Sequence, residues 1–277
     1  MKFIRYEESR PEAIRAMLAD SPVAYVPLGA LEWHGEHAPL GLDGIKAHTL
    51  CEAAAARTGG VVFPTVFWGA FDTMPFPFTF HFKKSGIKTL VHETLRQLQD
   101  WGFEVIVLLT GHYPPSQVRL LKRECRRFNK GAGAMAIGVP EQVFAIDIDY
   151  YGDHAGMWET SIMMAMKQEL VDLSAMPGGL AMFERLEKYG VMGQDPVSKA
   201  SVEKGRQAIE HISTQLAKVV NRAMNEKNDL AFEEVYKRYE KAFNIFSKRI
   251  FHVVRQTLDV RSFGELVRFG LWGLRNL

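Results

Sequence analysis

A chain of 277 residues with 47% hydrophobic composition can bury a substantial core, and its length fits one large domain or two small ones. Lys plus Arg number 34 against 32 for Asp plus Glu, so a formal charge of +2 gives no electrostatic case for a nucleic-acid or membrane partner. The expected substrate is a small molecule.

Apolar runs of strand length alternate with amphipathic runs of helix length. VAYVPL (23–28) reads as a buried strand, KAHTLCEAAAAR (46–57) as a helix and VVFPTVFW (61–68) as a second strand. In SGIKTLVHETLRQLQDWG (85–102), Ile87, Leu90, Val91, Leu95 and Leu98 share one helical face, with Ser85 as cap. EVIVLLTG (104–111) is the clearest strand; a helix near 116–128, a strand at 134–139 and a helix at 158–170 follow. Strands that are continuously apolar and alternate with helices predict an α/β domain, a mostly parallel sheet flanked by helices on both faces.

From about 171 to 200 the chain is punctuated by Gly and Pro, and one long helix is expected from near Ser201. The domain is read as 1–228. Residues 229–277, with aromatic and basic residues at helical spacing, form a helical C-terminal extension that packs on the domain or a neighbouring subunit. Cys51 and Cys125 lack any metal-type spacing and suit a reducing compartment. The first residues have charges throughout, and no eighteen apolar residues run together, so the expectation is a cytoplasmic protein without a spanning helix.

In open α/β sheets the ligand crevice lies beyond the carboxyl ends of the strands. GALEWHGEHAPLGLDG (29–44) follows one strand and TGHYPPSQ (110–117) follows another. If those strands are neighbours, Glu32, His34 and Asp43 meet His112, and GDHAGMWET (152–160) adds His154 and Glu159. In extended backbone residues two apart point the same way, so Glu32 and His34 reach a common centre while Trp33 faces away. Mixed imidazole and carboxylate donors suit zinc, manganese or iron rather than magnesium or calcium, and an aspartate in such a set can bridge two ions. Each residue has a plainer role open to it: a loop histidine usually just hydrogen-bonds, and Glu159 near a helix start favours the macrodipole. The argument for a metal centre is the coincidence of three segments at one predicted crevice.

LEWHGEHAPLGLD also resembles the first signature of the creatininase (creatinine amidohydrolase) family, E-x-H-G-x-H-x-P-L-G-x-D. TGH (110–112) is similar to its second, HAGMWETS (154–161) to its third, and GQDPVSKASVEKGR (193–206) to its late segment ending in E-K-G. The resemblance spans about residues 1–225. It implies a cytoplasmic metal-dependent hydrolase, commonly a hexamer, with one or two divalent ions, zinc first and manganese or iron as alternatives. The family's ligand positions fall on Glu32, His34, Asp43 and His112, with Asp43 bridging. Creatininase itself has a glutamate two positions after the second-motif histidine; Pro114 stands there in this chain, so the fifth ligand is assigned to Glu159.

The expected chemistry is attack of a metal-bound hydroxide on the carbonyl of a small, cyclic substrate, a cyclic amide or related C–N bond, with His154 as general acid. Tyr113 and Trp158 are assigned to substrate contact. YPPSQ after His112 departs from many relatives, so creatinine itself is not the favoured substrate, and the aromatic stretch 67–82 either shapes the pocket or packs in the core. The rivals are ring opening of a cyclic ketone such as a keto-inositol, cleavage of a formamide, and a non-catalytic metal-binding protein. A nucleotide-using enzyme ranks last, since no G-x-x-x-x-G-K-[ST] occurs. His37 and Glu36 are expected to support the loop rather than hold metal.

Overall fold

The computed structural model describes residues 3–69, 73–131, 133–244, 246–260 and 262–276. Strands β1 (Phe3–Arg5), β2 (Val23–Leu28), β3 (Gly60–Val62), β4 (Val105–Thr110) and β5 (Met135–Pro140) form one parallel sheet in the order β1-β3-β2-β4-β5. Between and after them lie α1 (Pro11–Asp20), α2 (Leu42–Thr58), α3 (Lys84–Asp100), α4 (Pro115–Phe128), α5 (Met157–Lys167), α6 (Met182–Tyr189), α7 (Pro196–Lys199) and α8 (Val202–Glu226). The chain closes with α9 (Leu230–Ala242), α10 (Ile250–Leu258) and α11 (Phe263–Asn276).

Every residue of β2 and β4 is buried, because each strand is covered on both faces. Alternation along the strands sends Val23, Tyr25, Val105, Val107 and Leu109 into a core shared with α2, α5, α8 and α9. It sends Ala24, Val26, Leu28, Ile106 and Leu108 into a second core with α1, α3 and α4. This is the α/β sheet with helices on both faces that the hydrophobic pattern predicts.

β2 and β4 are neighbours, in register from Val23 opposite Val105 to Leu28 opposite Thr110, so their carboxyl ends are level. The chain leaves β2 toward α2 on one face and leaves β4 toward α4 on the other. Such a reversal opens a crevice between the two strand ends.

Three boundaries differ from the sequence expectation, the smallest being that α3 begins at Lys84, so Ser85 lies in its first turn instead of capping it. The strand expected at 61–68 ends at Val62, with only an isolated bridge from Val66 to Leu28, because Pro64 has no N–H to give the ladder. The helix expected from residue 46 begins at Leu42, so Asp43 lies in its first turn rather than in the loop before it. The long helix α8 begins beside Ser201 as expected, and Ser201 caps it, its hydroxyl accepting from the Lys204 N–H at 3.2 Å. The Gly- and Pro-rich stretch holds one 3₁₀ turn, Leu173–Ala175, and the short helices α6 and α7. Among the described residues no helix is long and apolar enough to cross a membrane.

Helices α9 and α10 are tied to this body. Ala231, Phe232, Val235 and Tyr236 of α9 join the larger core. Arg185 of α6 is fully buried and donates to the carbonyl oxygens of Leu180 and Gly193 and, at 3.0 Å, to the Asp259 carboxylate that ends α10. Asp259 adopts φ 54°, a conformation that Asn tolerates, so Asp259→Asn removes the charge without backbone strain. The expected loss is about 2–3 kcal/mol, with faster proteolysis of α10, measured by denaturant unfolding and limited digestion. A change within about 0.5 kcal/mol would show that the pair contributes no more than a surface ion pair.

Candidate metal centre

The site is assembled by the approach of α2 to the ends of β2 and β4. Gly29 and Gly111 stand just beyond those ends, and a Cβ on either would collide with backbone of the α2 first turn, at Gly44 and at Asp43 respectively. The two bare backbones therefore let that turn settle into the crevice. The Asp43 carboxylate then lies at a helix N-terminus, which favours its charge, and Glu32 is steadied by its N–H donating to the Leu40 carbonyl at 3.0 Å.

Asp43 has a different imidazole at each oxygen. Oδ1 is 3.3 Å from His34 Nε2, and Oδ2 is 3.3 Å from His112 Nδ1. His112 Nδ1 is also 2.7 Å from Glu32 Oε1, and His34 Nε2 is 3.7 Å from Glu159 Oε2. Among the described residues three buried groups have donor atoms mutually within 4.8 Å: Glu32, Asp43 and His112; His34, Asp43 and Glu159; and Glu32, His34 and His154. Asp43 belongs to the first two.

The donor set fits a divalent metal on two observations. His34 Nε2 is buried with no hydrogen-bond partner, while its Nδ1 lies 3.0 Å from the Glu32 carbonyl, which turns Nε2 toward the carboxylates. Electrostatically, the centre is short of positive charge. Burial opposes protonation of His34, yet Asp43, Glu159 and Glu32 push its pKa up to about 9. Burial opposes it at His112 too, and Glu32 and Asp43 push that pKa up to about 10. Asp43, although burial acts the other way, is held well below the usual carboxylate range by His34 and His112. Carboxylates that hold protons on imidazoles this strongly can hold divalent ions in their place.

Behind the centre lies a network that the sequence reading missed. Lys46 is fully buried, with Nζ 2.6 Å from Glu159 Oε1 and 2.8 Å from Glu141 Oε1. The Tyr113 hydroxyl is 2.7 Å from the same Glu159 oxygen, and the Tyr150 hydroxyl donates to Glu141 at 2.8 Å. Glu159 Oε2 accepts from the Ala155 N–H at 2.8 Å and remains the oxygen facing His34. Burial pushes Glu141 up to about 7, a rise that Lys46 limits. Two signals pointed here: Lys46 is three residues after Asp43 and thus on the same helical face, and Glu141 follows a strand carboxyl end.

The other predicted residues have distinct positions. His154 lies at the centre's edge, stacked on His34 with ring centroids 4.4 Å apart, and its Nε2 is 2.8 Å from the Trp33 carbonyl. Burial, then the neighbouring His34, lowers its pKa. The Tyr113 ring lines the cavity, but its hydroxyl is engaged by Glu159 and by the Asp153 backbone. Trp158, expected at the substrate, instead packs in the core with its ring 5.3 Å from Tyr150, because it sits about 100° round the helix from Glu159. His37 is buried 3.0 Å from the Thr160 hydroxyl, and Glu36 is exposed. Asp153 caps α5, accepting the N–H groups of Trp158 at 2.8 Å and Glu159 at 3.2 Å.

A cavity of about 330 Å³ opens onto Glu32, Asp43, His112, His154 and Glu159, within the size range of small-molecule sites. Of the aromatic stretch 67–82, Met74 lines this cavity and Phe76 stacks on His154, whereas Phe78, Phe80 and Phe82 are exposed. Ala70, Phe71 and Asp72 lie outside the described residues.

Comparison with known proteins gives one consistent result. The family model Creatininase, described as creatinine amidohydrolase, matches residues 7–220. Creatinine amidohydrolase of Pseudomonas putida is 29% identical over 177 residues, 54% of this chain and 66% of that protein. The chain thus spans slightly less than two thirds of that relative. A mycofactocin precursor peptide peptidase of Mycolicibacterium smegmatis is 29% identical over 237 residues, 76% of this chain and 88% of that protein. A crystal structure of creatininase superposes with a TM-score of 0.68 at 24% identity, covering 80% of this chain and 98% of its own.

Proposed function

The chain belongs to the creatininase family, and on that premise we propose that it is a metal-dependent hydrolase cleaving a C–N bond of a small carbonyl substrate. The observation that carries this reading is Asp43, whose two oxygens face His34 and His112 separately, each at 3.3 Å. Glu32 and His112 complete one side of that carboxylate, and His34 with Glu159 Oε2 completes the other. Zinc is the first choice of metal and manganese the second; relatives of the same fold include a creatininase named for manganese and a zinc–zinc form. Divalent ions held there would polarise the substrate carbonyl and bring the pKa of a water near neutrality.

The chain's own groups supply positioning and proton transfer. Lys46 and Tyr113 grip Glu159 through Oε1, leaving Oε2 aimed at the centre. His154, with Nε2 engaged by the Trp33 carbonyl, has Nδ1 for proton transfer. Its lowered pKa makes it neutral near pH 7, so it first accepts a proton from the attacking water and then passes it to the leaving nitrogen. The relatives named above are an amidohydrolase and a peptidase, both breaking C–N bonds, which favours this reading over carbon–carbon cleavage.

Protein purified without chelator is expected to contain one to two equivalents of metal, and dialysis against a chelator to abolish hydrolysis in a panel of cyclic amides, formamides and short peptides. Activity that survives metal removal would refute the proposal. His154→Ala is expected to lower turnover by about 10²–10⁴-fold with metal content unchanged. Loss of metal in that variant would make His154 a ligand, as its closeness to Glu32 and His34 allows.

A further inference from the structure

We propose that Trp272, backed by Phe269, is the specificity-determining wall of this site, and that the substrate it selects is a neutral carbonyl compound carrying a ring or a branched apolar group. This rests on the metal-centre reading above.

The cavity has two chemically different parts. Glu32, Asp43, His112 and Glu159 provide the polar one. Much of the remainder comes from Met74, Met192, Tyr239, Phe243, Phe269 and Trp272. The last four belong to α9, the residue after it and α11, beyond the stretch 7–220 that the family model matches. The polar part is thus common family ground, whereas the aromatic part is supplied by this chain's own C-terminal region.

A row of rings fixes where Trp272 stands. His34 stacks on His154 at 4.4 Å between centroids, His154 on Phe76 at 6.1 Å, Phe76 lies 6.4 Å from Trp272, and Trp272 stacks on Phe269 at 6.2 Å. Separations near 6 Å are those of favourable aromatic pairs. Phe269 and Trp272 are three residues apart on α11 and so share a face. Phe263, Leu271 and Leu274 of the same helix are exposed, so apolar character along α11 does not by itself bring a side chain to the cavity.

The choice of a neutral, apolar ligand follows from what the lining contains. No Lys or Arg lines the cavity among the described residues, and Lys46 is buried behind Glu159. A carboxylate or phosphate substituent pointing away from the metals would meet aromatic rings and no cation to pair with. A ring or branched apolar group placed against Trp272 and Phe269 would instead lose its water shell to matching surface.

The test uses full-length, zinc-loaded protein and two hydroxamates that share a metal-binding head, benzohydroxamate and acetohydroxamate, with affinities from calorimetry and zinc from elemental analysis. Benzohydroxamate is expected to bind about tenfold or more tightly. Trp272→Ala should reduce that preference to about threefold or less, leaving acetohydroxamate affinity and zinc content unchanged, and Trp272→Phe should restore most of it. Equal affinities in the native protein, or a preference that persists in Trp272→Ala, overturn the proposal while leaving the metal centre standing. Loss of zinc or of acetohydroxamate binding in Trp272→Ala overturns it in favour of a purely structural role. If the native protein holds zinc but binds neither probe, the wall proposal fails; if it cannot hold zinc, the metal-centre reading fails as well.

Discussion

Asp43→Ala should cost the protein at least half of its bound metal and lower hydrolysis by about 10³-fold or more, the scale on which loss of an electrostatic stabiliser is felt. The reason is geometric. The Asp43 oxygens face His34 and His112 separately, so one substitution damages both halves of the centre. Asp43→Asn keeps the shape and one oxygen donor, and should retain metal on one side only. Gly111→Ala offers an independent approach, because its new Cβ collides with the Asp43 carbonyl and displaces the carboxylate without altering its chemistry. Elemental analysis of the three variants should rank Asp43→Ala lowest. Full metal content and activity in Asp43→Ala would remove the basis of the proposed function.

Lys46→Met should have the largest effect on stability, about 3–5 kcal/mol in denaturant unfolding. Lys46 lies between Glu141 and Glu159 with all three side chains buried, and its loss strands two acidic groups without their cation. Adding Glu141→Gln to Lys46→Met should recover part of that loss, since one stranded acid is then gone. Metal affinity should also fall, by about 10–100-fold, because Glu159 Oε1 loses the Lys46 contact that holds its other oxygen toward His34. A Lys46→Met variant of native stability would mean that Glu141 and Glu159 share a proton and need no cation.

The two central strands were legible because each is covered on both faces and reads as an unbroken apolar run. β3 was cut short by Pro64, visible in the sequence but outweighed by its apolar neighbours. Asp43 was found from its place after a strand, but its position in a helical first turn depended on Gly29 and Gly111 admitting α2. Trp158 is adjacent to Glu159 in the sequence yet packs in the core, because neighbouring positions on a helix point about 100° apart. Lys46 could have been found from its three-residue spacing to Asp43; the Trp33 carbonyl that engages His154 could not, since no side-chain pattern reports a backbone acceptor 121 residues away.

Hydrophobic period and position after a strand are local properties, so the layered α/β class, the level of the crevice and the donor types offered there can be read along the chain. Packing is what sets which oxygen of Asp43 meets which imidazole, puts Lys46 and Glu141 behind Glu159, and brings Trp272 of α11 to a cavity that opens onto Glu32 and Asp43. Those outcomes depend on how close two backbones can come and on what fills the space between distant segments. Neither quantity exists until the chain is packed.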